Sequence, residues 1–239
     1  MKDGLNMPEE TRSHETSVEI EASPSQIWEM ITESAGIARW FAPEVKAEQG
    51  VGGKVFVSWG GGMEINTLVT QWEPEVHVRW EDPERAPLAT DFYIETKDGG
   101  TAVLRVVQSF GIGAEWDGEF DGTKHGWLIF VRVIKLAIER HWGKKSFHTS
   151  LIEMMPEGST KAGAWEKLQS QAGIVWDVES SREPSELVVL VPAWKGSLVW
   201  FTLAKQYVAA SLITYGLEQA EFEEARAKVG DLMKQVVAT

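Results

Sequence analysis

The sequence of 239 residues contains no cysteine. That absence excludes disulfide bonds, thiolate catalysis and every iron–sulfur or zinc site that needs cysteine ligands. No apolar run approaches the roughly 18–20 residues that a membrane-spanning helix requires. The first residues are polar and lack the apolar core of a secretory signal. We therefore expect a cytoplasmic protein with no membrane partner.

Basic residues are also scarce. Lysine and arginine number 23 against 36 aspartates and glutamates, which gives a formal net charge of −13. A surface of this sign repels phosphate backbones and anionic lipid headgroups. Nucleic acid is therefore excluded as an expected partner.

Tryptophan, in contrast, is abundant, with 12 in the chain. Its side chain is large and seldom completely buried, and its indole N–H needs a hydrogen-bond acceptor. Such a population is typical either of a large core or of the wall of a cavity.

The clearest pattern in the chain is an amphipathic helix over residues 126–142, GWLIFVRVIKLAIERHW. At helical spacing, its apolar residues fall on one broad face and its charged residues on the other. The segment before it, residues 111–122, is rich in glycine and aspartate and is predicted to be a loop. The apolar face needs a sheet to pack against.

The segment before this loop predicts that sheet. A first strand carries Val18, Ile20 and Ala22, and Ser23 followed by Pro24 marks the start of a helix. A short second helix over residues 37–41 follows, and then about six antiparallel strands between residues 45 and 110, separated by turns such as Asp98-Gly99-Gly100. The predicted class is α+β, with a curved antiparallel sheet wrapped around the long helix.

A curved sheet around a helix leaves a cavity if the facing side chains do not meet, and aromatic and aliphatic walls suit an apolar or aromatic ligand. Gln108 shares a strand face with Val106 and Phe110, so its amide needs a partner in the core or on a ligand. We call the residues expected to contact the ligand the wall residues. They are Trp40, Phe41, Val57, Trp59, Trp80, Phe92, Gln108, Phe110, Trp127, Phe130, Val131 and Ile134.

Catalytic and metal-binding patterns are missing from the sequence. None of the five histidines belongs to a ligand motif, and no GxSxG sequence is present. Residues 117–122 imitate the start of a calcium loop, but Leu128 stands where the bidentate glutamate belongs. Strand alternation predicts that His77, Asp91 and Glu95 face solvent. We expect no catalytic residue, metal or cofactor.

Several short motifs in a fixed order resemble a known family. They are Trp28, Arg39-Trp40-Phe41-Ala42-Pro43, Val51-Gly52-Gly53-Lys54-Val55-Phe56, Trp80, and Gly126-Trp127 at the start of the long helix. Residues 15–145 thereby resemble the SRPBCC superfamily, with the START and birch-pollen-allergen helix-grip fold, and within it the relatives of the activator of HSP 90 ATPase.

The resemblance implies a hydrophobic cavity between the sheet and the C-terminal helix. Binding of a small hydrophobic or aromatic ligand is therefore the first functional hypothesis. A chaperone-cofactor or protein-interaction module, with a protein partner or a homodimer, is the second. A polyketide cyclase-like enzyme is the third.

The domain organisation is predicted in three parts: a flexible arm over residues 1–14, the helix-grip domain over 15–145, and an α+β region over 146–239. In the last region the pattern predicts a helix over 160–172, four strands between 174 and 215, and a long helix over 217–237. This order matches the back half of the same topology, so the region is either a degenerate second helix-grip half or a dimerisation appendage.

Overall fold

The computed structural model describes residues 11–170 and 175–238, and of Glu115 only the backbone. The chain divides into two compact units. The first comprises residues up to 37, 45–57 and 64–140, and the second comprises residues 38–44, 58–63 and 141 onward. Two short segments of the predicted helix-grip domain thus cluster with the C-terminal part of the chain.

The elements up to residue 141 follow the predicted order. They are β1 (Thr11–Ile20), α1 (Pro24–Thr32), α2 (Ser34–Ile37), β2 (Glu44–Ala47), β3 (Lys54–Gly60), β4 (Met63–Glu73), β5 (His77–Glu81), β6 (Ala89–Thr96), β7 (Ala102–Gly111) and α3 (Ala114–His141). The strands form one seven-stranded sheet in the order β1-β7-β6-β5-β4-β3-β2. This curved antiparallel sheet with a long helix confirms the predicted α+β fold class.

Local sequence signals explain how α1 begins. Ser23 Oγ accepts from the backbone N–H of Gln26, and the Gln26 side chain accepts from the backbone N–H of Ser23. This capping box, with Pro24 at the first helical position, satisfies donors that a helix start otherwise leaves free. The predicted start of α1 is therefore confirmed.

Three predicted boundaries are wrong. β1 begins at Thr11, so residues 11–14 belong to a strand and not to a flexible arm; residues 1–10 lie outside the described part of the chain. Helix α3 begins at Ala114, so most of the predicted loop 111–122 is helical. The second helix is also earlier and shorter than predicted, since α2 ends at Ile37.

The remaining elements belong to the second unit. They are β8 (Ser146–Met154), α4 (Lys161–Ser170), β9 (Asp177–Arg182), β10 (Glu186–Val191), a single 3₁₀ turn (Pro192–Trp194), β11 (Ser197–Leu203), β12 (Tyr207–Tyr215) and α5 (Gln219–Val237). Their five strands form an antiparallel sheet in the order β8-β12-β11-β10-β9. The buried face of α5, with Phe222, Val229 and Met233, shares a core with Phe201 and Leu212. Sequence patterning predicted four of these strands and missed β8.

Candidate functional site

Nine of the wall residues lie in the first unit, on β3, β5, β6, β7 and α3. Eight of the nine are buried, and only Phe130 is half-buried. The other three, Trp40, Phe41 and Trp59, belong to the second unit. The predicted wall is therefore divided between the two units.

Four of the five aromatic wall residues in the first unit form a chain of ring contacts. The ring centroids of Trp80 and Phe92 are 4.7 Å apart, and those of Phe92 and Trp127 are 5.5 Å apart in a T-shaped contact at 76°. Phe130 lies 5.5 Å from Trp127. Sheet and helix therefore meet at Trp127, and the gap that the sequence led us to expect is closed at this level.

Gln108 finds its partner within the core. The indole Nε1–H of Trp127 donates to Gln108 Oε1 over 2.8 Å, and both side chains are buried. A buried amide and a buried indole each lose free energy if left unpaired, so this bond holds the first turn of the apolar part of α3 over β7.

A row of polar side chains crosses the face of the sheet that meets α3. His14 on β1 is paired with Gln108 on β7, and Gln108 with Thr90 on β6. Residues paired in this way share a face of the sheet. All three are buried among apolar neighbours, with exposures of 6%, 9% and 8% in that order. We call His14, Gln108 and Thr90 the polar row.

His14 connects the polar row to α3. Its Nε2 lies 3.1 Å from Thr123 Oγ1, and its ring lies 5.6 Å from Phe110 and 5.2 Å from Phe120. Burial, and secondly the charge of Lys124, lower the pKa of His14 below its usual value. The imidazole is therefore neutral near pH 7 and offers one donor and one acceptor. Sequence reasoning missed His14, although the alternation of Ile20, Val18 and Thr16 would have reached it if continued backwards.

The outer face of the sheet corrects two further predictions. Asp91 is buried and not exposed: its Oδ1 lies 2.8 Å from His77 Nε2, and Arg79 Nη1 donates to its Oδ2 over 2.6 Å. His77 also stacks on Tyr93 at 4.3 Å, so it does not simply face solvent. Charges on neighbouring strands cover each other, which alternation along one strand does not reveal. Glu95 is exposed, as predicted.

The first turns of α3 cover one end of the polar row. Trp116 and Phe120 both pack on Phe110, with ring centroids 6.1 Å and 5.4 Å away. Arg12 Nη2 lies 2.6 Å from Asp117 Oδ1, and its guanidinium lies 4.4 Å from the Phe120 ring.

Arg85 makes a matching pair of contacts from the β5–β6 connection. It forms an ion pair with Glu119, and its guanidinium lies 5.1 Å from the Trp116 ring. We call residues 114–124 the front half of α3 and residues 127–141 its rear half.

In the second unit, the three remaining wall residues form their own aromatic cluster. Trp40 stacks on Phe41 at 4.8 Å, Phe41 meets Trp59 at 5.1 Å, and Trp59 Nε1 donates to the carbonyl of Phe41 over 2.8 Å.

Residues 38–44, which contain two of these three wall residues, are held by hydrogen bonds to the C-terminal part of the chain. Tyr215 Oη donates to the carbonyl of Arg39 over 2.8 Å, and His148 Nδ1 lies 3.0 Å from the carbonyl of Ala38. Arg39 in turn donates to the carbonyls of His141 and Lys144.

The second unit also contains a cavity of about 300 Å³ that sequence patterning did not predict. It is bounded by Met155, residues 157–160, α4 and the end of α5 at Val236 and Val237. This volume is at the lower limit for small-molecule sites. Its one lysine, Lys167, already donates to the carbonyl of Ala238.

Within residues 11–170 and 175–238, no group of three histidine, aspartate or glutamate side chains is placed to hold a metal ion. In the same part of the chain, no helix is long and apolar enough to cross a bilayer.

The seven-stranded sheet with α3 on one face defines a helix-grip protein of the SRPBCC superfamily, as the sequence motifs indicated. Residues 21–139, about half of the chain, match the family described as Activator of Hsp90 ATPase homolog 1-like protein. This region of the chain belongs to that family.

Solved structures similar to the chain fall into two sets by coverage. The Aha1 dimer of Colwellia psychrerythraea is 21% identical over 54% of this chain and 96% of its own, with a TM-score of 0.48. DynU16, from the dynemicin biosynthetic locus, is 18% identical over 94% of this chain and 96% of its own, with a TM-score of 0.46.

The di-domain ARO/CYC protein BexL, from the BE-7585A biosynthetic pathway, is 12% identical over 95% of this chain and 99% of its own, with a TM-score of 0.44. With TM-scores below 0.5, these likenesses carry no argument about function. No curated protein matches the chain.

Proposed function

We propose that the first unit binds a small aromatic molecule bearing a hydroxyl or carbonyl group, between its sheet and α3, in the cytoplasm. The observation that carries this proposal is the polar row. Three polar side chains stand in register on the apolar face that meets the helix, and aromatic rings surround them. A few convergent polar groups within an apolar site are typical of small-molecule binding.

The ligand would replace ring contacts that the protein now makes with itself. Phe130 is half-buried, and Phe120 covers the His14 end of the row from a half-exposed position. A two-ring aromatic molecule buries about 200 Å² of apolar surface, a gain of about 5 kcal/mol at ~25 cal/mol per Å². Together with one hydrogen bond of about 1 kcal/mol, this sets a lower limit of about 10–100 µM on the dissociation constant, because the unfavourable terms of association are left out.

The polar row would orient the ligand. Neutral His14 can donate or accept, and Thr90 adds a hydroxyl two strands away. The amide of Gln108 is already fixed by Trp127, so its oxygen is directed at the helix. A ligand with one polar group and a flat apolar body can form a hydrogen bond with the polar row and pack its rings against the surrounding aromatic side chains.

A matched pair of probes tests the proposal. Native mass spectrometry of the purified full chain should show a retained small molecule, and tryptophan fluorescence should respond to 2-naphthol and to naphthalene. We expect 2-naphthol to bind about tenfold more tightly, because only its hydroxyl can pair with the row.

His14→Leu combined with Thr90→Val should remove that preference, while Gln71→Leu, a change on the exposed part of β4, should keep it. Flat fluorescence for both probes up to millimolar concentration would rule out the proposal.

A second candidate function follows from the family alone. Residues 21–139 match a family named for activation of the Hsp90 ATPase, so the chain is also a candidate chaperone cofactor. A pull-down with Hsp90 and an assay of its ATPase activity test this function. An Hsp90 ATPase rate that stays unchanged at saturating concentrations of this protein would exclude it.

We further propose that residues 146–239 are a second helix-grip half and not a dimerisation appendage. An antiparallel sheet with one long helix, α5, sharing its core supports this interpretation. Light scattering of the full chain across a hundredfold concentration range should then give the monomer mass throughout. A dimer mass at all concentrations would favour the appendage.

A further inference from the structure

The two halves of α3 differ sharply in burial. In the rear half eight side chains are buried, among them Trp127, Ile134 and Ile138. In the front half every side chain that the structure describes is exposed or half-buried. A segment with few buried apolar contacts opens locally at lower free energy than one in the core.

Two glycines lower the helical stability of the front half, although close packing does not require a glycine at either position. A Cβ added at Gly118 or Gly122 would meet no atom within 4 Å. By contrast, a Cβ at Gly36 would lie 2.4 Å from the carbonyl oxygen of Glu29, so that glycine is required by close packing. Relative to alanine, each open helical glycine favours the unfolded segment about fivefold.

The contacts that hold the front half are ones that solvent can weaken. In the first ion pair, the side chain of Arg12 is 32% exposed and that of Asp117 is 63% exposed. In the second, Arg85 is 48% exposed and Glu119 is 31% exposed. Exposed pairs of this kind shift an equilibrium by no more than about fivefold and are screened by salt. Each arginine also lies over one aromatic ring of the front half. We call Arg12 and Arg85 latches, because each holds the front half closed by one ion pair and one ring contact.

Under these latches lies the His14 end of the polar row. Phe120 covers His14 and Phe110, and Trp116 closes on Phe110 and Gly111. Opening the front half would expose these groups, while the hydrogen bond from Trp127 to Gln108 would keep the rear half on the sheet.

We propose that residues 114–124 form a lid that opens by local unfolding, latched by Arg12 and Arg85, and that admits the aromatic ligand to the polar row. The purpose of the lid rests on the proposed function, but its opening does not. Ligand entry requires the front half to unfold. The front half then refolds as a helix over the bound molecule, with only the rings of Phe120 and Phe130 displaced.

Amide hydrogen exchange of the full chain without ligand tests the opening. Wild-type amides of residues 116–124 should exchange at least a hundredfold faster than those of the rear half. Gly118→Ala combined with Gly122→Ala should slow exchange in the front half by about 25-fold and leave the rear half unchanged.

Gly230→Ala is the matched control. Gly230 is also an open helical glycine, but it lies in α5, so this change should affect α5 alone. The lid proposal would be overturned if front-half amides exchanged as slowly as those of the rear half, or if the double substitution left their exchange rates unchanged.

Ligand kinetics connect the lid to the site. The double alanine variant should slow both association and dissociation of 2-naphthol about 25-fold and leave its dissociation constant within twofold. Unchanged rates would overturn the gating role. Fast amide exchange in the front half without binding of 2-naphthol would support the opening of the lid but contradict the proposed ligand. Failure of the lid and failure of the proposed function are therefore distinguishable.

Discussion

The front and rear halves of α3 are one continuous helix, yet they are held by different forces. The rear half is fixed by buried apolar side chains, and Lys135 and Glu139 bind the backbone at Glu19 and Glu21 at the end of β1. The front half depends on two exposed ion pairs and on rings that it buries only in part. The comparison shows that apolar burial fixes a helix in place, whereas surface charge holds it reversibly.

The largest expected difference between the halves is in core packing. Ile134→Ala should lower the free energy of unfolding by about 3 kcal/mol, because it leaves a cavity among buried neighbours. Phe120→Ala should lower it by about 1 kcal/mol, since its ring is only half-buried. Urea denaturation measures both, with the exposed Leu128→Ala as the control near zero. Equal losses in both halves would contradict the comparison.

The next largest difference concerns the arginines. Arg39 donates two charge-assisted bonds, one over 2.7 Å to the carbonyl of His141, the last residue of α3, and one over 2.6 Å to the carbonyl of Lys144, just beyond it. Arg39→Gln should therefore destabilise the chain by about 2 kcal/mol. Arg12→Gln should destabilise it by less than ~1 kcal/mol, because an exposed pair contributes little. A larger loss of stability for Arg12→Gln than for Arg39→Gln in urea denaturation would contradict the difference between the two halves.

Acid should weaken the contacts around residues 38–44. Burial lowers the pKa of His148 to about 4, although the carbonyls of Ala38 and Ala42 favour its charged form. Because the pKa is lower in the folded chain than in the unfolded one, stability is fully present above about pH 6.5 and falls as the pH drops towards 4.

Between pH 7 and pH 5 this amounts to about 2 kcal/mol. The difference between wild type and His148→Asn in urea denaturation at each pH measures it. An equal loss in both proteins would assign the effect to other groups.

The smallest expected effect is that of salt. Raising sodium chloride from 0.05 to 0.5 M should increase front-half opening about two- to threefold, because it screens the Arg12 and Arg85 pairs. The rear half should show no change in the same hydrogen-exchange experiment. In Arg12→Gln combined with Arg85→Gln, the salt effect should disappear; its persistence would show that other charges control the opening.

Much of the fold could be predicted from the sequence because its signals are local. Alternation located most strands, the Ser23-Pro24 pair located the start of α1, and the apolar stripe of residues 126–142 located the rear half of α3. The front half was predicted as a loop because Gly118 and Gly122 give it low helix propensity. As a helix it is contacted by Arg12 and Arg85, both distant in sequence, and by Phe110 on the preceding strand.

The site was less predictable because it depends on pairing across strands. The need of Gln108 for a partner was evident from its strand face, and Trp127 meets that need. His14 was missed because the polar residues around it conceal the strand, and only pairing with β7 makes it visible. Asp91 was predicted to be exposed because its partners, Arg79 and His77, are on another strand.

The indole N–H signal of Trp127 offers the most direct test of the account. In a ¹⁵N-labelled full chain, with the signal assigned by Trp127→Phe, titration with 2-naphthol should shift the Trp127 resonance and leave that of Trp165, in the second unit, in place. A Trp127 signal that stays unchanged at saturating 2-naphthol, or a shift confined to the second unit, would contradict binding between the sheet and α3.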